Sequence, residues 1–154
     1  IDGMAKSQGL ELSYVKPHGA LYNDMMADRT LRRVIMLAVA NYHRPLTLMI
    51  QATPESAEHR SDAQQAGIEL LLEAFADRCY DDDGKLLARS KPGAVHSKAK
   101  MLAQVKQLAE TGTVTTISGT TLTLEVDSLC VHGDNPEGVQ AIAEIRQLLN
   151  SAQQ

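Results

Sequence analysis

The spacing of apolar residues changes period several times along the chain, and each change marks an element. The opening Ile1-Asp2-Gly3-Met4-Ala5-Lys6 reads as the end of a helix, closed by Gly9. Leu10 to Val15 alternates apolar with polar, the period-2 signature of a strand. From Asp24 to Tyr42 the residues Met25, Leu31, Ile35, Met36 and Val39 recur at helical spacing, which predicts one helix facing a sheet. His43-Arg44-Pro45 breaks it. Leu46 to Ile50 is short and continuously apolar, as expected of a buried parallel strand. Thr53-Pro54-Glu55 sets a capping residue before a first-turn proline, and the helix it opens runs from Glu55 to near Gly67. Ile68 to Phe75 is the next strand, with Glu73 inside it. Asp81-Asp82-Asp83-Gly84 is a turn. After a loop through Pro92-Gly93, Ala94 to Glu110 reads as an amphipathic helix stopped by Gly112. Thr113 to Val126, rich in Thr, Val and Leu, reads as a hairpin about Gly119. Ser128 to His132 is a further strand, and Gly133-Asp134-Asn135-Pro136 turns into a last helix ending near Asn150, with a frayed end at Ser151 to Gln154.

Strands alternating with helices predict an α/β fold of parallel strands with outer helices, here with one β-hairpin added. The 154 residues fit a single domain. In parallel α/β folds, functional groups collect where strands end at their carboxyl side. Three predicted strand ends are polar: Lys16 with His18, Asp77 with Arg78, and His132 with Asp134. They are expected to share one active-site face.

Composition narrows the classes. Hydrophobic residues make up 44%, enough for a core, and with no Trp and one Phe that core must rest on aliphatic residues and Met. The net charge is −4 with no basic stripe, which argues against a nucleic-acid partner. No apolar run approaches the roughly 20 residues of a membrane span. Cys79 and Cys130 lie far apart without CxxC spacing, which argues against a disulfide scaffold or zinc ribbon. With no secretory signal at the start, the expectation is a cytoplasmic protein. There is no P-loop and no GxGxxG after a strand.

Each polar cluster has a chemical and a plain reading. Lys16 and His18 are two apart, so both can point to one side of an extended exit, where Lys binds an anion or carbonyl oxygen and His moves protons. The plain reading is a solvated loop. Asp77 can serve as a base, and Arg78 or Arg89 can fork a carboxylate; otherwise, with Glu73 buried nearby, they form an internal ion pair. His132 is a general acid or base or a metal ligand, while Asp134 also fits ordinary capping before Pro136. His43, His59 and His96 read as surface residues. Cys79 reads as a bystander.

Five segments carry a family resemblance. They are Val15-Lys16-Pro17-His18-Gly19-Ala20-Leu21-Tyr22-Asn23, then Glu73-Ala74-Phe75-Ala76-Asp77-Arg78-Cys79-Tyr80, then Asp83-Gly84-Lys85-Leu86-Leu87-Ala88-Arg89, then Pro92-Gly93-Ala94-Val95, and Cys130-Val131-His132-Gly133-Asp134-Asn135-Pro136. In this order they resemble the LamB/YcsF family. Cys79 and Ala88 depart from its pattern. The resemblance implies a component of an ATP-dependent hydrolase that opens 5-oxo-L-proline to L-glutamate together with subunits B and C. It implies a (β/α) barrel of the glycoside hydrolase/deacetylase type. The family's Asp-Leu-Asn-Cys-Asp-like opening and its earlier histidine motifs are not found here. A full barrel takes about 250 residues, so the expectation is the carboxyl-terminal part of one, a partial barrel whose open sheet edge invites self-association into a homo-oligomer.

On that footing the candidates for proton transfer and catalysis are His132, Asp77, Lys16 and His18. Those for holding substrate are Arg78, Arg89, Tyr22, Asn23, Glu73 and Asp134. ATP is the implied cofactor. A divalent metal is left open, with no ligand set assigned. Two rival readings stay open: a metal-dependent deacetylase-like carbohydrate hydrolase, and a non-catalytic subunit for assembly or substrate binding.

Overall fold

A computed structural model describes residues 1–151; of the end expected to fray over Ser151 to Gln154, Ser151 closes the last helix and residues 152–154 lie outside the described residues. In chain order the elements are α1 (Asp2–Ser7), β1 (Tyr14–Val15), α2 (Ala20–Ala27), α3 (Arg29–Ala40), β2 (Thr47–Gln51), α4 (Ser56–Ala66), β3 (Leu70–Phe75), α5 (Lys98–Thr111), β4 (Thr113–Thr115), β5 (Thr121–Thr123), β6 (Ser128–Cys130) and α6 (Pro136–Ser151). One sheet has the order β1-β2-β3-β6, and β4 with β5 makes a separate hairpin. The expected parallel strands, outer helices and hairpin are present.

The chain divides into two compact units, residues 1–51 with 57–72, and residues 52–56 with 73 onward. Strand β3 contributes its first half to one unit and its second half to the other.

In the first unit β1 pairs parallel with β2, Tyr14 opposite Thr47 and Val15 opposite Leu48. Its core holds Met25, Met36, Leu48 and Ile50, each fully buried. Two expectations change here. The strand over Leu10 to Val15 shrinks to Tyr14–Val15, because helix α1 claims the residues before it. Gly9, at φ 69°, and Leu10 return their N–H groups to the carbonyls of Lys6 and Ala5, at 3.0 Å each. That is the two-bond Schellman closure of a helix end, and it removes Leu10 from any strand. The single helix over Asp24 to Tyr42 becomes α2 and α3. Asp28 caps α3, its carboxylate accepting from Thr30 N at 2.7 Å and Leu31 N at 3.2 Å. Arg32, buried, donates to the carbonyls of Met25 and Met26, which α2 leaves unpaired as it ends.

Helix α4 carries a polar stripe inward. His59 is 4% exposed and Asp62 2%, so His59 is not the surface residue expected. Apolar spacing cannot reveal a helix whose inward face is polar. Asp62 takes a bidentate pair from Arg29, at 2.9 and 2.8 Å, and a further bond from Arg33 at 2.9 Å, which ties α3 to α4.

In the second unit β3 pairs parallel with β6, Glu73 opposite Ser128, Ala74 opposite Leu129 and Phe75 opposite Cys130. Helices α5 and α6 pack Met101, Val105, Ala141 and Ile145 with Ala76 into its core. The helix expected from Ala94 begins only at Lys98. Ala94 and Val95 are held outside the helix, because Val95 bridges Arg78 and the Ala94 carbonyl takes the Cys79 N–H. His96 lies just before the helix and is half-buried, not a free surface group. Strand β6 ends at Cys130, two residues before His132.

Candidate active site

Register alone brings two of the expected residues together. Phe75 and Cys130 face each other at the ends of β3 and β6. Asp77 and His132 each lie two residues further, on parallel neighbours, so they leave the sheet side by side. The Ala76 N–H still reaches the Cys130 carbonyl at 2.9 Å, which carries the pairing one step past the ladder.

The contact between the two side chains is tight. His132 Nδ1 lies 2.9 Å from Asp77 Oδ1 and 3.1 Å from Oδ2. The His132 backbone N–H also donates to Oδ2, at 3.3 Å. Asp77 is 1% exposed, whereas the His132 side chain keeps 26%. The imidazole stacks on Phe75 with ring centres 5.5 Å apart and planes within 19°. Burial pushes the Asp77 carboxyl up, but the hydrogen bonds and the charge of His132 outweigh it, so Asp77 titrates below its ordinary value. It is therefore an ionised acceptor at neutral pH. For the neutral ring that fixes the tautomer, with the proton on Nδ1 and the lone pair on Nε2. A histidine held this way can take a proton, give one, or ligate a metal.

The other candidates divide by unit. In the second unit Arg78 is 7% exposed, and its guanidinium donates to the carbonyls of Ala94 at 3.3 Å and Leu87 at 2.6 Å. It braces the loop rather than presenting a free fork. Arg89 pairs with Asp134 at 2.7 Å, with 46% and 64% of their side chains exposed. The hydrogen bond from Arg89 holds the Asp134 carboxyl below its usual range. Glu73 is 1% exposed inside β3. In the first unit Lys16 places its ammonium 5.6 Å from the centre of the Tyr22 ring, a cation–π contact. Tyr22 is buried, while His18 and Asn23 are exposed. Gly19 stands at φ 63° between His18 and α2, a turn only glycine takes without strain. Among the described residues no three His, Cys, Asp or Glu side chains gather as a metal site. No described helix is long and apolar enough to cross a membrane.

Gln104 and Tyr80 support the β3 exit in a way that the sequence pattern does not reveal. Tyr80 is wholly buried, and its hydroxyl accepts the Phe75 N–H at 2.8 Å. Gln104, on the buried face of α5, donates to the carbonyls of Phe75, Ala76 and Arg78 at 2.8, 3.3 and 2.9 Å. The only sequence signal is a glutamine set at helical spacing with Met101 and Val105.

Residues 1–154 match the LamB/YcsF family. The chain belongs to it. The ordered motifs thus reflect a relationship over the whole chain. The chain is 44% identical over 151 residues to the 5-oxoprolinase A subunit of Pseudomonas fluorescens, a match covering 97% of this chain and 60% of that protein. To the Chromohalobacter salexigens protein of the same name it is 46% identical over 147 residues, 95% of this chain and 59% of the relative. The Vibrio cholerae counterpart is 45% identical over 151 residues, with 97% and 61% covered. Among solved structures, the lactam utilization protein from Thermus thermophilus superposes with a TM-score of 0.80 at 33% identity, over 98% of this chain and 59% of that one. This LamB/YcsF chain therefore spans about 60% of the length of the relatives it matches.

Proposed function

We propose that this chain belongs to an ATP-dependent 5-oxoprolinase, hydrolysing the lactam of 5-oxo-L-proline to L-glutamate alongside subunits B and C. The observation that carries the reading is the Asp77–His132 pair at adjacent strand ends, with Nε2 of the imidazole left as a base. The names of the relatives supply the substrate class.

The chemistry asks for such a group. Opening the ring adds water across one C–N bond, and an amide carbonyl is a poor electrophile. Nε2 of His132 takes a proton from the attacking water as the new C–O bond forms. The same proton then goes to the ring nitrogen as the C–N bond breaks. Asp77 keeps the imidazole in register and stabilises its charged form between these transfers. Of the two arginines, Arg89 is the one with a solvent-exposed guanidinium, and the substrate carboxylate would replace Asp134 on it.

ATP use is proposed for the complete enzyme. The sequence has no glycine-rich phosphate loop, and no step above runs through a nucleotide or a metal held on this chain. The decisive test is His132→Ala in the complete enzyme, following 5-oxoproline-dependent ATP hydrolysis. Turnover should fall by about 100-fold or more. Unchanged turnover would remove His132 from the reaction and the proposal with it.

A further inference from the structure

We infer that Gln104 is a positioning residue that sets the aim of the Asp77–His132 pair, with His96 as its brace. The inference rests on the function proposed above for that pair.

Four consecutive carbonyls leave β3, those of Phe75, Ala76, Asp77 and Arg78. A buried carbonyl left without a partner carries the cost of its lost hydration. The Gln104 amide nitrogen lies within hydrogen-bond distance of three of them and shares its two N–H groups among the three. The fourth, on Asp77 itself, accepts the His96 backbone N–H at 2.9 Å. The His96 ring returns to the same glutamine, its Nε2 lying 3.2 Å from Gln104 Oε1. The donor set fixes the orientation of the amide. Nitrogen must face three carbonyls, so oxygen faces His96, and the His96 proton sits on Nε2. Gln104 is 6% exposed and in the middle of α5, so helix packing holds it in place. The clamp grips the backbone on both sides of Asp77, and the Asp77 carboxylate in turn holds both the ring and the main chain of His132. A small rotation of the Asp77 peptide would swing the carboxylate and carry Nε2 off its target.

Gln104→Glu keeps the shape and, when ionised, replaces the donor with an acceptor facing three carbonyls. In the complete enzyme kcat should drop about 10- to 100-fold with KM within about threefold. The ring-nitrogen NMR spectrum of His132 should shift from the single Nδ1–H form to a mixture of tautomers. A folded Gln104→Glu chain with unchanged kcat and unchanged His132 nitrogen shifts overturns the inference. Should that variant fail to fold, His96→Phe decides, because it leaves the amide donors in place but frees the amide to turn. It should lower kcat about three- to tenfold with the same NMR change, and an unaltered spectrum and rate would overturn the inference. The NMR readout needs no turnover. Failure of His132→Ala to affect activity would therefore sink the proposed function while leaving the clamp itself open to measurement.

Discussion

At the scale of single residues, the Asp77–His132 pair makes a prediction that does not depend on knowing the substrate. Asp77→Asn keeps the size of the side chain but can present an N–H where Asp77 only accepts. The imidazole then no longer has to keep its proton on Nδ1. Turnover should fall on the order of 10²–10⁴-fold, and the midpoint of urea unfolding at neutral pH should drop as well, because the variant loses the stability that the ionised Asp77 carboxylate contributes there. A variant with normal turnover would show that the tautomer carries no weight. Both members of this pair are legible in the sequence, because Asp77 stands two residues past a run that reads as a strand and His132 closes another. Their mutual contact is not, since register is a property of two strands and no single segment displays it. Gln104 is illegible for a different reason. A glutamine on an amphipathic helix ordinarily faces water, and only the bare carbonyls of the β3 exit, supplied from another element, make it worth burying. His59 and His96 mislead on the same ground, as residues whose burial is set by what packs over them.

At the scale of elements, hydrophobic periodicity shows which elements exist but misplaces where several of them stop. Leu10 belongs to the closure of α1, and Asp28 divides what apolar spacing joins. In both cases a local hydrogen-bonding device overrides the hydrophobic period. Asp28→Ala tests this, because it removes the acceptor for two N–H groups at the start of α3. It should lower stability by about 1 kcal/mol in urea unfolding and leave turnover untouched. A loss indistinguishable from zero would mean that water caps α3 equally well. The turn at Asp81 to Gly84 is stricter. Gly84 stands at φ +78°, and a Cβ there would meet Pro54 Cδ at 2.5 Å. Neither the backbone angle nor the rigid proline ring yields readily, so Gly84→Ala should cost about 1–3 kcal/mol. Full retention of thermal stability would show that the turn can re-form in another shape.

At the scale of the whole molecule, both units share a dependence on ionised acids in their interiors. In the first, Asp62 is held below its ordinary value chiefly by the hydrogen bonds from Arg29, against the opposing effect of burial. In the second, Asp77 is pushed up by burial and pulled further down by His132. For each, the folded protein binds its proton at a lower pH than the unfolded chain, whose value lies near 3.8. The unfolded state therefore takes up more protons as pH falls through that region, and linkage makes stability fall with it. The contribution is fully present above the unfolded value and disappears as pH drops toward the lower folded values. Urea midpoints at pH 7 and pH 3 should accordingly differ, with the acid sample weaker. Asp62→Asn separates the two acids. It cannot ionise, so it should be less stable than the parent at pH 7 and should lose less on going to pH 3. The Arg29 and Arg33 side chains are about half exposed, at 51% and 48%, so solvent screens part of the pairing and high salt should shrink the difference at pH 7. Equal acid sensitivity in the parent and in Asp62→Asn would mean that the buried carboxylate of α4 plays no part in the acid response, and that Asp77 or the exposed acids govern it instead.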